Sequence, residues 1–319
     1  MNNLAKIYVG VDVSKNRLDI HLHPIAEALA FANSKEGIEL FINKLGVHAV
    51  EQIVCESTGG YEDLMLKMLR STGYKVWQAE PNRIKSFIRS KGKKVKTDAS
   101  DAYMLALFSA QERQEHPHVE YGVNHNLICD LVKRKRDLGI MVTSEKLRLG
   151  RPNKSTCFME IKDHIVFMEK QVKALEAKIE QLIKDDDDFG KKAKIMQSVP
   201  GVGKATAARL IAGIPELGSM ENKKAAALVG VAPYAQESGQ YRGKRFISGG
   251  RSAVREALYM AAMVASRYNP IMKEFYRRLR DIGKKPAKVA LVAVMRKLIT
   301  ILNIMIKRGT MWDENATSC

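Results

Sequence analysis

Cysteine is scarce in this chain, and none of it is paired. Four cysteines among 319 residues (Cys55, Cys129, Cys157 and Cys319) form no C-x-x-C motif, which argues against a zinc site or a disulfide framework and for a reducing compartment. A charged-then-apolar leader is also missing, because MNNLAKIYVGVD runs straight into a strand-like stretch. The longest apolar tract, residues 289–306, is broken by Arg296, Lys297, Thr300 and Asn303. It reads as an amphipathic or core helix and not a membrane span. These absences give the expectation of a cytoplasmic protein with no membrane partner.

Acidic residues are scarce in one region only. Residues 1–118 hold 16 Lys and Arg against 14 Asp and Glu, and residues 119–189 hold 13 against 13. Residues 190–319 hold 24 against 8, so nearly the whole net charge of +18 lies in the last third. That one-sided excess is the footprint of a phosphate-backbone binder; solubilising surfaces usually mix both signs.

The pattern along the chain predicts an α/β N-terminal domain of ribonuclease-H-like order. Strands are expected at Lys6–Asp12, Arg17–His23 and Ala26–Ala32, then a helix, a strand near Gln52–Cys55, a helix, a strand near Lys75–Gln78, and further helices to Glu112. A helix at Leu127–Leu149 carries the basic run Lys133–Arg136. Phe158, Ile165, Val172 and Ile179 then alternate with Ile161, Met168, Leu175 and Leu182 at three- and four-residue steps, the signature of a coiled coil whose stripe is expected to pair with a second copy of the chain, with packing inside the chain as the alternative. Asp185–Asp188 reads as a solvated hinge. The last third predicts a mainly α-helical domain interrupted by a Gly-rich irregular stretch, Gly230–Gly250. The expected domains are 1–118 (metal-binding), 119–157 (helical connector), 158–189 (coiled coil) and 190–319 (basic C-terminal domain).

Four carboxylates carry the first chemical signal. Asp12 ends the first strand in GVDVSK and Glu56 ends the fourth in CESTGGYE. Asp98 and Asp101 lie three apart in KTDASDA at a helix start, on one face. On this strand order they form a candidate site for two Mg²⁺ or Mn²⁺ ions, with hard oxygen donors and no competing Cys or His. Taken singly, each has a plainer explanation, such as a helix cap for Asp98. Asp19 is assigned to the outward face of its strand, and Glu62 and Asp63 to a helix N-terminus.

Two further motifs lie in the basic third. VPGVGKATAARLIA (199–212) reads as a helix–hairpin–helix turn in which Gly201, Gly203 and Lys204 offer backbone N–H groups and charge to a phosphate. A nucleotide-binding P-loop fails here, because Ser198 replaces the first glycine and Ala205 the magnesium-binding Ser/Thr. A tight helix–helix turn in a core is the plainer alternative. In GVAPYAQESGQYRGKRFISGGR (230–251), Ser238 is a candidate nucleophile surrounded by Arg242, Lys244, Arg245 and Arg251. From residue types alone Ser248 and Ser252 stand beside it.

Taken in order, GVDVSK, CESTGGYE, KTDASDA, VPGVGKATA and the serine loop resemble the DEDD-motif insertion-sequence transposases, the bridge-RNA-guided recombinase family, over nearly the whole chain. The resemblance implies a RuvC-like N-terminal domain, magnesium on Asp12, Glu56, Asp98 and Asp101, and Ser238 as the serine that becomes joined to DNA. It also implies donor and target DNA as substrates, a guide RNA that pairs with both, and a homo-oligomer, dimer or tetramer, with sites shared between subunits. Arg83, Lys85, Arg89, Lys91, Lys93, Lys94, Lys96 and the 133–136 run are then candidate RNA contacts, with ordinary surface charge as the alternative. The competing function is a metal-dependent Holliday-junction-type endonuclease that uses water and no serine.

Overall fold

A computed structural model describes residues 6–92, 98–112, 122–150, 157–234, 237–238, 241–243 and 245–314. The chain divides into two compact units, residues 1–120 and 121–319.

The first unit is a mixed α/β layer structure. Its elements are β1 (Ile7–Val13), β2 (Arg17–His23), β3 (Glu27–Ala32), α1 (Lys35–Leu45), β4 (Val50–Glu56), α2 (Asp63–Ser71), β5 (Val76–Ala79), α3 (Pro81–Ser90) and α4 (Asp98–Gln111). The five strands lie in the order β3-β2-β1-β4-β5. The first three form an antiparallel meander, and β4 and β5 add in parallel. Strand alternation sorts the two faces. Val9, Val11, Leu18, Ile20, Ile53 and Cys55 pack against Ile38 and Phe41 of α1 and Leu69 of α2. Val54 and Trp77 face the other way, against Ile84 of α3 and Leu105 and Phe108 of α4. Ser34 caps α1 by accepting from Gly37 N at 3.2 Å, and Pro81 opens α3 where no intrahelical N–H is needed.

The second unit is mainly helical: α5 (Gly122–Leu149), α6 (Phe158–Asp185), α7 (Asp187–Gln197), α8 (Lys204–Gly213), α9 (Asn222–Val229), α10 (Ser252–Tyr268), α11 (Pro270–Arg277), a π-helical turn (Arg278–Ile282) and α12 (Ala287–Arg308). The Gly-rich stretch is less irregular than its composition suggests. β6 (Pro233–Tyr234) pairs with β9 (Phe246–Ile247), and between them β7 (Glu237–Ser238) pairs with β8 (Tyr241–Arg242).

The heptad stripe finds a partner within the chain. Ile161, Ile165, Met168, Val172 and Leu175 of α6 pack on Leu138, Val142 and Leu149 of α5. Ile128 of α5 and Ile179 and Ile183 of α6 continue into the core built by α7 to α12. The aspartate run is also not a loop. α6 runs to Asp185 and α7 begins at Asp187, so the break is a single residue, Asp186, whose carboxylate caps α7 by accepting from Phe189 N at 3.0 Å.

Among the described residues α12 is the one helix whose length and composition would allow it to cross a membrane, and half of its apolar window is buried in the protein. Val294, Leu298, Ile299 and Leu302 lie in the core. Buried Asn303 accepts from Gly218 N at 2.8 Å and donates to Met220 O at 2.9 Å and Asn222 Oδ1 at 2.8 Å. A core amide satisfied on three sides ties the α8–α9 connection to α12, the role of a core helix.

Candidate active site and nucleic-acid contacts

The strand register brings two of the four carboxylates side by side. β1 and β4 are parallel, with Gly10 opposite Val54 and Val11 opposite Cys55, so Asp12 and Glu56 are the next residues in step. Their common face is the one covered by α4. Gly10, two residues before Asp12, lies directly beneath that helix. A Cβ there would overlap the Ala102 carbonyl oxygen and the Ala106 nitrogen. Further along, Ser109 Oγ donates to Gln52 O at 3.2 Å, and Gln52 is paired with Tyr8. From Ala102 to Ser109 the helix therefore runs against the direction of β1. Its first turn, which holds Asp98 and Asp101, lies toward the strand ends that carry Asp12 and Glu56. The side chain of Asp98 is outside the described residues, and among the described residues no three acidic, His or Cys side chains are grouped as a metal site. The donor chemistry, carboxylate oxygens without thiol or imidazole, fits a hard divalent cation.

Two acids that the sequence assigned elsewhere belong to this region. Asp19 is not on the outward face. It is the cross-strand partner of Asp12, and Arg17 holds its carboxylate from Nε at 2.9 Å and from a terminal nitrogen at 2.8 Å. Glu62 precedes α2 as expected, but it is only 1% exposed. Its carboxylate accepts from Ser57 Oγ at 3.3 Å, Thr58 N at 3.1 Å, Thr58 Oγ1, Gly60 N at 2.9 Å and Gln78 Nε2 at 2.7 Å. Burial pushes its pKa up, but the Thr58 hydroxyl and the backbone N–H groups outweigh this and hold it below the ordinary value. Glu62 thus gathers the loop that follows Glu56. The signal was present in the sequence as a Ser-Thr-Gly-Gly run, rich in donors, followed by one carboxylate. The Cys55 thiol beneath is pushed up to about 12, by burial first and then by Glu62, so it is inert.

In the second unit the Pro-Gly-Val-Gly turn joins α7 to α8, and its two glycines differ. Gly201 has φ +106° and packs on α10; a Cβ there would stand 2.7 Å from the Ala265 Cβ. Gly203 caps α8 with open space beside it. A shallow groove at this turn is lined by Gln197, Pro200, Gly203, Thr206, Met260 and Val264. Lys204 is exposed and pairs with Glu180 at 2.8 Å.

Ser238 lies on β7, with Tyr241 of β8 as its register partner and Arg242 next to that residue. The side chains of Ser238 and Arg242 and all of Lys244 lie outside the described residues, and Arg245 is exposed. Arg251, the fourth basic residue expected near the serine, is also bound by groups of the protein itself. Its guanidinium is engaged by Glu216 at 2.8 and 3.0 Å and by the Gly213 carbonyl at 2.7 Å. It belongs to a cluster missed by sequence reasoning that caps the C-terminus of α8. His125 meets Ile211 O at 3.2 Å and the Cys129 thiol donates to Ala212 O at 3.3 Å. Burial lowers the His125 pKa and keeps the ring neutral there.

The candidate RNA contacts divide similarly. Arg83 pairs with Glu112 at 2.8 Å and lies over Trp77, while Lys135 and Arg136 pair with Glu176 and Glu256. Lys85, Arg89, Lys133 and Arg134 are exposed, and Lys91 is exposed but sits over the Phe87 ring. Lys93, Lys94 and Lys96 lie outside the described residues.

Comparison with known proteins gives two family matches. A transposase profile of the DEDD, IS110 type covers residues 9–151, and a profile described as Transposase IS116/IS110/IS902 family covers residues 193–277. The chain is 28% identical to a pilin gene-inverting protein of Moraxella lacunata and 27% to that of Moraxella bovis, over 98% of this chain and 99% of each relative. A shorter likeness, 29% over 147 residues, joins it to an uncharacterized 43.6 kDa protein of insertion element IS110 in Streptomyces coelicolor; it spans 46% of this chain and 35% of that protein.

Proposed function

Because the chain belongs to the IS110 family of transposases, enzymes that cut and exchange DNA strands, we propose that it does so with a RuvC-like carboxylate site and a serine nucleophile. The observation that carries this reading is the placement of Asp12 and Glu56 in step on adjacent parallel strands, with the first turn of α4 directed to the same strand ends. Asp12, Glu56, Asp98 and Asp101 would hold two Mg²⁺ or Mn²⁺ ions, which supply charge neutralisation at the scissile phosphate when bound. Ser238 Oγ attacks phosphorus, its proton passes to solvent or a nearby base, and the bond to the 3′-oxygen breaks to release a 3′-hydroxyl. A 3′-hydroxyl from the other duplex then attacks the phosphoserine and frees Ser238, so strands are exchanged without hydrolysis.

Gly203, Lys204 and the N-terminus of α8 form the proposed phosphate contact of the helix–hairpin–helix, with Arg242, Lys244 and Arg245 beside the serine. A guide RNA that pairs with donor and target DNA would supply sequence choice. Self-association is supported by the α5–α6 hairpin, the proposed coiled coil. After the heptad stripe has packed internally, Ile140 and Leu147 of α5 and Met159 and Val166 of α6 remain exposed at seven-residue spacing. Pairing through them lets the serine of one subunit serve the carboxylates of another. The full-length likeness to pilin gene-inverting proteins extends the proposal to inversion of a DNA segment as the outcome.

The test is Ser238→Ala beside Asp12→Asn, with the RNA co-purified from the native host and duplexes matched to it. The expected result is loss of the SDS-stable protein–DNA adduct and of strand joining in Ser238→Ala, and loss of all cleavage in Asp12→Asn. Unchanged joining by Ser238→Ala would overturn the serine step, and water-derived nicks without an adduct would establish the junction-type endonuclease instead.

A further inference from the structure

Between α11 and α12 the chain makes an elbow crowded with cations. Seven Lys and Arg lie between Lys273 and Lys288 against two acids, Glu274 and Asp281. Every residue from Asp281 to Val289 is exposed. The backbone there is specialised. α11 widens into a π-helical turn over Arg278–Ile282, and Lys284 holds φ +48°, a left-handed conformation that costs a side-chain-bearing residue about 1–2 kcal/mol. Arg280 secures the turn by donating to the Lys285 carbonyl at 2.7 Å. π-Turns and strained residues of this kind gather at functional sites.

At the base of the elbow two like charges share one ring. The Arg278 guanidinium carbon lies 5.5 Å and the Lys297 ammonium 4.9 Å from the centroid of Phe275. The two nearby acids are taken by Arg277, with Glu274 at 3.7 Å and Asp281 at 3.9 Å. Among the described residues no carboxylate pairs with Arg278 or Lys297. Burial, and then the positive charge of Arg278, lower the Lys297 pKa. Cations held on an aromatic face without a counter-ion form a preorganised seat for an anion, which would relieve their repulsion.

We propose that this elbow, centred on Arg278 and Lys297 and extended by Arg280, Lys284 and Lys285, binds the phosphate backbone of duplex DNA. The inference rests on reading the chain as a DNA recombinase. It adds a binding surface whose cations all lie beyond residues 193–277, the stretch matched by the C-terminal family profile. Backbone binding is favoured because seven cations are strung along this open surface against two acids, and residues 273–297 contain no Asn or Gln to read adenine edges.

The test is the salt dependence of binding to a short mixed-sequence duplex, measured by fluorescence anisotropy with the full chain. In Arg278→Gln/Lys297→Gln the slope of log K against log salt should shrink by about 2, roughly 0.9 for each phosphate no longer neutralised, with at least about tenfold weaker binding at low salt. Lys284→Gln/Lys285→Gln should move the slope the same way. The melting temperature of the first variant should hold or rise, since a repulsion is removed. Lys162→Gln/Lys170→Gln, an equal charge reduction on exposed α6 positions, should keep the wild-type slope. An unchanged slope in the elbow variants overturns the proposal. So does an equal change in the α6 control, or weakening confined to a stem–loop RNA with duplex binding intact. Wild-type protein that binds no duplex at all would sink the recombinase reading together with this surface.

Discussion

Gln78 Nε2 donates to Glu62 Oε1 at 2.7 Å, tying β5 to the loop that leaves Glu56. All the groups around that carboxylate are donors, so an amide in its place would set N–H against N–H. Glu62→Gln should therefore cost about 2–4 kcal/mol in urea unfolding at neutral pH. Because the folded pKa lies below the ordinary 4.5, the stabilisation is complete above that value and fades as pH falls through the folded pKa. The gap between wild type and variant should narrow on acidification below 4.5. A gap that stays constant across that window would show that the carboxylate's charge is not what holds the loop.

Gly10 and Gly139 give opposite expectations for the same change. A methyl on Gly10 meets backbone atoms of α4, which cannot swing aside, so Gly10→Ala should destabilise by about 3 kcal/mol. It should also displace the turn bearing Asp98 and Asp101, and Mn²⁺ binding followed by electron paramagnetic resonance should weaken. Gly139 lies within α5 with open space around it, and Gly139→Ala should stabilise by about 0.5–1 kcal/mol. Thermal unfolding of the pair checks both signs, and a Gly10→Ala protein as stable as wild type would refute the close approach of α4.

Arg251 separates structural charge from binding charge. Arg251→Gln removes the partner of Glu216, whose pKa is raised by burial but held low overall by that guanidinium. The pair is partly exposed, so a cost of about 1–2 kcal/mol is expected. The salt slope of duplex binding should stay at the wild-type value, in contrast to the elbow variants. A reduced slope with unchanged stability would return Arg251 to the nucleic-acid surface.

Strand and helix periodicity made the first unit legible from sequence, because a sheet with two covered faces writes its alternation into residues such as Val9, Val11, Leu18 and Ile20. Asp12 and Glu56 were legible for the same reason, as the polar ends of apolar strands. Asp19 was misplaced because alternation separates two faces but does not say that both are covered, and α4 covers the face that looked outward. The heptad of α6 announced a partner without naming it, since a stripe fits α5 as well as a second chain. Arg251 looked like its neighbours Arg242 and Arg245 because charge in a loop carries no record of a distant acid such as Glu216. The elbow stayed hidden for a related reason. Phe275 and Lys297 lie on different helices, and only packing brings them together.

The hairpin glycines allow the phosphate reading to be tested apart from the fold. Gly201 combines φ +106° with close packing against Ala265, so Gly201→Ala is strained twice and should lower stability by several kcal/mol, about 3 or more. Gly203 has φ −87°, which any residue adopts, and an added methyl meets nothing within 4 Å. Gly203→Ala should leave the melting temperature unchanged. If a phosphate occupies the open space at the α8 N-terminus, the methyl intrudes on it, and duplex binding should weaken about tenfold at fixed salt with little change in slope, since no charge is removed. Full affinity in Gly203→Ala would mean that the turn serves only to pack α8 on α10, and that backbone binding falls to the cations elsewhere in the basic unit.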